Sequence, residues 1–131
     1  VQTLTLSHLA VFCGLLLGTH GAAVITVNNY RDLDGDRENG RRTLAILAGR
    51  RATRLIYAGE ILSPYLLLPL LASPLGAWAV LPLLSLPAGM VLIQRFRKLP
   101  PGPAFNPLLA KTAALQLLFA CLLLTAFTLA A

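Results

Sequence analysis

LTLSHLAVFCGLLLGTHGAAVITV, Leu4 to Val27, contains no Asp, Glu, Lys or Arg. About 20 mostly apolar residues in helical form cross a hydrocarbon core of about 30 Å, so this stretch places the chain in lipid. Three further stretches are of the same kind: 55–72, 75–93 and 107–129, with Glu60 and Lys111 as their only charged residues. The expected architecture is all-α, one polytopic transmembrane helical bundle of about four spans occupying residues 1–131. Composition agrees. The 131 residues are 56% hydrophobic and 12% charged, whereas a soluble domain carries about a quarter charged residues.

Charge placement sets the topology. Arg31, Arg37, Arg41, Arg42, Arg50, Arg51 and Arg54 fall between the first two spans, and Arg95, Arg97, Lys98 and Lys111 flank the connection between the last two. The connection around Ser73 and Pro74 is uncharged. The bias of Lys and Arg toward cytoplasmic loops therefore puts the loops 30–54 and 95–106 in the cytoplasm and both chain ends outside. The net charge of +6 does not point to nucleic acid, because it is divided between two membrane-flanking loops without a basic reading face. Membrane lipid, anionic at the surface, or an anionic substrate suits it better.

No basic segment precedes the first apolar run, so a secretory signal is not expected. The sequence enters a span directly from Val1, and the expectation is a piece of a longer chain. Cys13 and Cys121 lie in different spans without basic neighbours to favour a thiolate, and read as small apolar residues. Pro64, Pro69, Pro82 and Pro87 fall in the middle spans, where neighbouring helices can satisfy the carbonyls they free.

The first loop is different in kind. Tyr30 to Arg54 holds seven arginines together with Asp32, Asp34, Asp36 and Glu38. At about 2.5–3.5 kcal/mol for each central Asp, Lys or Arg, immersion in lipid would cost more than roughly 25 kcal/mol. The loop must meet water or a polar ligand. Within it, Thr43 is a candidate N-cap and Gly49 a candidate stop for a short interfacial helix.

Asn28, Asn29, Asp32 and Asp36 stand where the first span reaches the surface. On a continuous helix Asp36 lies about 40° round from Asp32, and Asn29 about 20° from Asp36. Two carboxylates one turn apart suit a hard cation; Mg²⁺ is held by one or two carboxylates, waters and the phosphates of a substrate. Arginine forks match phosphate oxygens. A solvated, self-paired loop accounts for the same residues, and Asp34-Gly35 is a turn signal that would break the helix. An EF-hand loop from Asp32 is excluded, because Arg37 and Thr43 stand where glycine and glutamate are needed. The run Asp36-Arg37-Glu38-Asn39 after Asp34-Gly35 likewise does not fit the CDP-alcohol phosphotransferase signature.

The stretch VNNYRDLDGDRENGRRTLAI, Val27 to Ile46, resembles the second aspartate-rich motif of the UbiA prenyltransferase superfamily. In detail it is similar to the MenA-like 1,4-dihydroxy-2-naphthoate polyprenyltransferases of menaquinone synthesis. Asn106 to Leu123 is more loosely similar to the last helix of that family. Arg41 stands where the family usually has lysine. The resemblance implies a nine-helix all-α bundle in a prokaryotic cell (inner) membrane, with its active site facing the cytoplasm. This chain would supply helices six to nine. The first aspartate-rich motif, of the Asn-Asp-x-x-Asp kind, would belong to a missing N-terminal half, so these residues alone are expected to be inactive.

By that resemblance the intact enzyme binds a polyprenyl diphosphate through Mg²⁺. Asp32 and Asp36 would be the catalytic, metal-side carboxylates, and Arg31, Arg37, Arg41 and Asn29 would bind diphosphate. The naphthoate ring attacks the allylic cation and loses carbon dioxide from the attacked position, giving demethylmenaquinone. Related enzymes use 4-hydroxybenzoate or homogentisate as the aromatic acceptor. Asn28, Glu60 and Lys111 are candidates for acceptor binding or for supporting the site. His20 reads as a neutral structural histidine, and Trp78 and Tyr57 as packing or interface anchors. The competing function is a non-catalytic membrane helix module whose loop charges serve topology and lipid contact.

Overall fold

A computed structural model describes residues 7–131, so Leu4 to Leu6 of the first expected span lie outside the described residues. Six α-helices and three 3₁₀ segments among them build an all-helical membrane bundle. Helix α1, His8–Arg31, starts at Ser7, whose hydroxyl accepts a bond from the Ala10 N–H at 3.0 Å and so caps one free donor. Its 24 residues reach about 36 Å, enough to cross a bilayer. It stops at Asp32, where ψ turns to 8°. Helix α2, Leu33–Glu38, follows at once and ends before Gly40, whose φ of 67° suits a residue without Cβ.

Leu44–Lys98, 55 residues, form one helical run with a kink at Gly49, whose φ of 76° and ψ of 167° are not helical. Laid straight they would span about 80 Å, more than twice the bilayer, so the run must fold back. Helix α3, Leu44–Leu67, leads through a 3₁₀ turn at Leu68–Leu71 and a single α turn, α4, Ala72–Leu75. A 3₁₀ stretch, Gly76–Ser85, then leads into α5, Leu86–Lys98. Tyr57 stacks on Phe96 with centroids 4.2 Å apart, and the Tyr65 and Ser85 hydroxyls bond at 2.9 Å. Between them a Cβ placed on Gly89 would sit 3.0 Å from Ile61 Cγ2. As the position along α3 rises, its partner in α5 falls, so the two limbs are antiparallel. The reversal is at Gly76, with φ 54°.

The uncharged connection expected around Ser73 and Pro74 is therefore not an open loop but a helical turn closing at Gly76. The physical reason is that the polar backbone of a segment with apolar side chains, held against lipid, must bond to itself. Pro69 and Pro87 open their turns, where the missing N–H costs little, whereas Pro82 lies inside the 3₁₀ stretch and Pro64 inside α3, where each removes a backbone bond. Helix α6, Asn106–Ala130, completes the bundle after a short 3₁₀ turn at Pro103–Phe105. At the charged end the helices run past the edges that hydropathy marks, since α3 begins at Leu44 rather than near 55 and α5 extends to Lys98. Polar side chains do not stop a helix that has left the lipid.

In lipid there is no hydrophobic force between helices, so close packing and buried polar contacts hold them. Thr26 on α1 donates to Glu60 Oε1 on α3 at 3.0 Å, Tyr57 shares a 2.9 Å bond with Thr112 on α6, and Gln116 donates to the Leu17 carbonyl at 3.3 Å. His20 is fully buried between Tyr65 and Phe119, with neither ring nitrogen bonded. Outward-facing Leu66, Leu84 and Leu117 are 77%, 69% and 68% exposed, as suits an apolar belt in lipid.

Candidate active site

The junction of α1 and α2 carries the acidic cluster. The Asp36 N–H bonds to the Asp32 carbonyl at 2.8 Å, so the two aspartates are one helical turn apart despite the change of direction between the helices. Asp34-Gly35 lies inside α2 and does not break it. Asp32 and Asp36 line one open pocket of about 410 Å³ with Arg31, Asp34, Asn39, Arg41 and Gly102. A second polar pocket, of about 330 Å³, shares Arg31, Asp32 and Gly102 and extends to Asn106. The two charged connections thus meet at one end of the bundle.

Each carboxylate is held by a guanidinium. Arg31 donates to both oxygens of Asp32, Nε to Oδ1 and Nη2 to Oδ2, at 2.7 Å each, and through Nη1 to Asn106 Oδ1 at 3.3 Å. Arg41 donates to Asp36 at 3.2 Å, and Arg50 to Asp34 at 3.3 Å. The Arg31 fork holds the Asp32 carboxyl below its ordinary range, against the opposing effect of partial burial. It is an anion at neutral pH.

These residues fit one kind of cation. No group of three or more His, Cys, Asp and Glu side chains that could hold a metal occurs among the described residues, so a closed protein cage is not built here. Two carboxylates beside arginines instead suit an ion shared with phosphate oxygens, as Mg²⁺ typically is. Arginines now paired with carboxylates can turn to those oxygens.

The remaining candidates are dispersed. Arg37 is exposed and lines neither polar pocket, because on a helix it points about 100° away from Asp36. Asn28 is exposed and Asn29 half-buried, and neither lines these pockets. Glu60 lies down in the bundle on Thr26. Lys111 lines a separate apolar groove between α5 and α6 with Arg95. Conversely, Asp34, Asn39, Gly102 and Asn106 join the site without being singled out by sequence. Only Asp34 carried a signal, as part of the acidic run; Gly102 and Asn106 arrive from a distant loop.

Residues 1–104 match the UbiA prenyltransferase family. The chain belongs to that family. As a UbiA protein it is a multi-pass membrane protein, with His8–Arg31, Leu44–Lys98 and Pro103–Ala130 long and apolar enough to span. It is 34% identical over 118 residues to UbiA prenyltransferase domain-containing protein 1 of Rattus norvegicus, covering 90% of this chain and 34% of that protein. The Homo sapiens protein of the same name is 35% identical over 118 residues, covering 90% of this chain and 33% of that one. The 1,4-dihydroxy-2-naphthoate octaprenyltransferase of Escherichia coli (strain K12) is 43% identical over 49 residues, 37% of this chain and 15% of that enzyme. This UbiA chain spans about a third of the length of the first two relatives.

Proposed function

We propose that residues 1–131 form one unit, helices six to nine of a nine-helix Mg²⁺-dependent aromatic prenyltransferase. The reaction is transfer of a polyprenyl group from its diphosphate to 1,4-dihydroxy-2-naphthoate in menaquinone synthesis. The observation that carries this reading is Asp32 and Asp36, one turn apart, lining a single rim pocket with Arg31 and Arg41. The short match to the Escherichia coli naphthoate enzyme supports the acceptor. The remainder of the protein would bring the first aspartate motif. The charged end faces the cytoplasm of a prokaryotic inner membrane, as the arginine-rich connections favour.

In this mechanism Asp32 and Asp36 hold the cation side of the donor, while Arg31, Arg41 and the exposed Arg37 take phosphate oxygens. Asn29 supports the donor end. Bound there, Mg²⁺ would neutralise charge gathering on the departing diphosphate. The carbon–oxygen bond to the allylic carbon breaks with its electron pair leaving on diphosphate. A naphthoate ring carbon then bonds to the allylic carbon and releases its carboxyl group as carbon dioxide. Once turned from their carboxylates to the phosphate oxygens, the arginine charges stabilise the leaving group. The apolar spans keep water from the allylic cation. Asn28, Glu60 and Lys111 are the candidates for acceptor contact.

The alternative is another UbiA-type prenyltransferase with 4-hydroxybenzoate or homogentisate as acceptor, since the longer matches are to UbiA prenyltransferase domain-containing protein 1, whose name specifies no acceptor, rather than to the naphthoate enzyme. Assay of the intact protein with naphthoate, 4-hydroxybenzoate and homogentisate separates the two. Naphthoate preference, together with loss of transfer in Asp32→Ala and Asp36→Ala, is the expected result. Preference for another acceptor would replace the naphthoate assignment, and full activity in either variant would remove the acidic pocket from the chemistry.

A further inference from the structure

Three arginines converge away from the acidic pocket. Arg51, Arg54 and Leu55 on α3 line a pocket of about 280 Å³ with Arg97 from the end of α5. On a helix, positions three and four apart share a face, and the antiparallel pairing that stacks Tyr57 on Phe96 brings Arg97 level with that face. Like charges held together are unfavourable unless something opposes them. No carboxylate among the described residues does. All three ion pairs there lie at the acidic pocket, on Arg31, Arg41 and Arg50. Glu60 is bonded to Thr26, and Glu38, the remaining carboxylate, makes no ion pair and does not line this pocket.

Arg54 sharpens the point. Its guanidinium carbon lies 5.9 Å from the centroid of the Tyr30 ring, within reach of cation–π attraction, yet its Nε is hidden from solvent without an acceptor. A buried N–H without a partner is costly, and arginine forks match phosphate oxygens two at a time. Leu55, 59% exposed, forms an apolar edge to the same pocket. We infer that Arg51, Arg54 and Arg97 form an anion site for a phosphate group at the membrane–water boundary, separate from the acidic pocket. Its source is either the headgroup of an anionic phospholipid or free phosphate. The apolar edge and the position of the site beside the spans favour the lipid, since basic pockets between membrane helices take such headgroups.

This inference does not depend on prenyl transfer, and its test leaves that reaction aside. The intact protein is placed in phosphatidylcholine nanodiscs with and without phosphatidylglycerol, with EDTA present so that no metal-bridged anion forms at the acidic pocket. Native mass spectrometry counts retained lipid. A parallel arm titrates inorganic phosphate into the protein in phosphatidylcholine alone, followed by the shift in unfolding midpoint. The expected result is preferential retention of phosphatidylglycerol, weakened about fivefold for each arginine removed in Arg51→Gln and Arg97→Gln. Both residues are exposed, and removing one of several like charges relieves repulsion, so their variants should keep at least the wild-type midpoint in phosphatidylcholine. Arg54→Lys, which keeps the charge but loses the fork, should fall between. Phosphate stabilisation without lipid preference, lost in the same variants, would keep the site and make free phosphate its ligand. Equal retention of both lipids with no phosphate effect, or an undiminished preference in the double variant, would overturn it.

Discussion

Arg31 closes on its own neighbour, Asp32, through two parallel bonds of 2.7 Å. The last residue of α1 thereby aims the first carboxylate of the acidic turn. The same guanidinium reaches Asn106 at the head of α6, tying the rim across two connections.

That arrangement sets the expected cost of losing the carboxylates. Asp32→Ala and Asp36→Ala should each lower kcat/KM for Mg²⁺-dependent transfer by about 10²–10³, the scale for removing one fixed electrostatic contact to a developing charge. Steady-state kinetics of the intact protein at saturating Mg²⁺ checks it. A loss below tenfold in both would mean that the pocket serves something other than the donor.

The Arg31 fork also predicts a titration. Asp32 is depressed in the folded protein, so its pair stabilises the fold above the unfolded carboxylate value of about 3.9 and the contribution fades as pH falls through the lower folded value. With the Asp32 side chain 41% exposed, solvent screening keeps the effect on stability small. The titration itself is the better readout. Arg31→Gln should return Asp32 toward the ordinary range in a carboxyl-carbon NMR titration, and an unmoved curve would contradict the assigned cause.

Packing between α3 and α5 depends on Gly89. A Cβ there would lie 3.0 Å from Ile61 Cγ2, and Ile61 is fully buried. Gly89→Val should destabilise the bundle by about 1–3 kcal/mol, the usual cost of overfilling a packed contact. Combining it with Ile61→Ala should cost less than the two separate losses together, as denaturation in detergent can measure. Strict additivity would mean that the two sites do not touch.

The same substitution on one helix should act with opposite signs. Gly49 has φ 76° and ψ 167°, so Gly49→Ala should destabilise by about 1–3 kcal/mol through backbone strain. Gly59 is exposed with ordinary helical backbone and nothing within 4 Å of an added Cβ. Gly59→Ala should stabilise by about 0.5–1 kcal/mol. Unfolding midpoints of the two variants that move together would exclude this account of the kink.

Sequence signals are legible where a single residue decides the backbone. Thr43 takes the N-cap position with extended backbone, although its hydroxyl makes no capping bond, and the left-handed Gly49 interrupts the helix. The membrane spans are legible for the same reason: length and apolarity act locally. The hairpin within Leu44–Lys98 was less so, since its turn is made of the same apolar residues and prolines as its limbs, and only Gly76 marks the reversal. Within the acidic pocket, Asp32 and Asp36 follow from helical spacing. Gly102 could not be foreseen, because its place depends on how α5 ends and α6 begins. Nor does spacing tell that Arg41 turns inward to Asp36 while Arg37 stays outside; the left-handed bend at Gly40 decides it.

Directly beneath the acidic turn, Tyr30, Phe96, Phe105 and Tyr57 are wholly enclosed. Tyr30 meets Phe96 and Phe105 at 4.8 and 5.1 Å, and Tyr57 lies flat on Phe96. Since Tyr30 immediately precedes Arg31, the ionic rim cannot gape without prising apart a four-ring keystone drawn from α1, α3, α5 and the 103–105 turn. The backbone beneath the rim is thereby held in place before any ligand arrives, and the cost of ordering on capture falls on the arginine side chains alone.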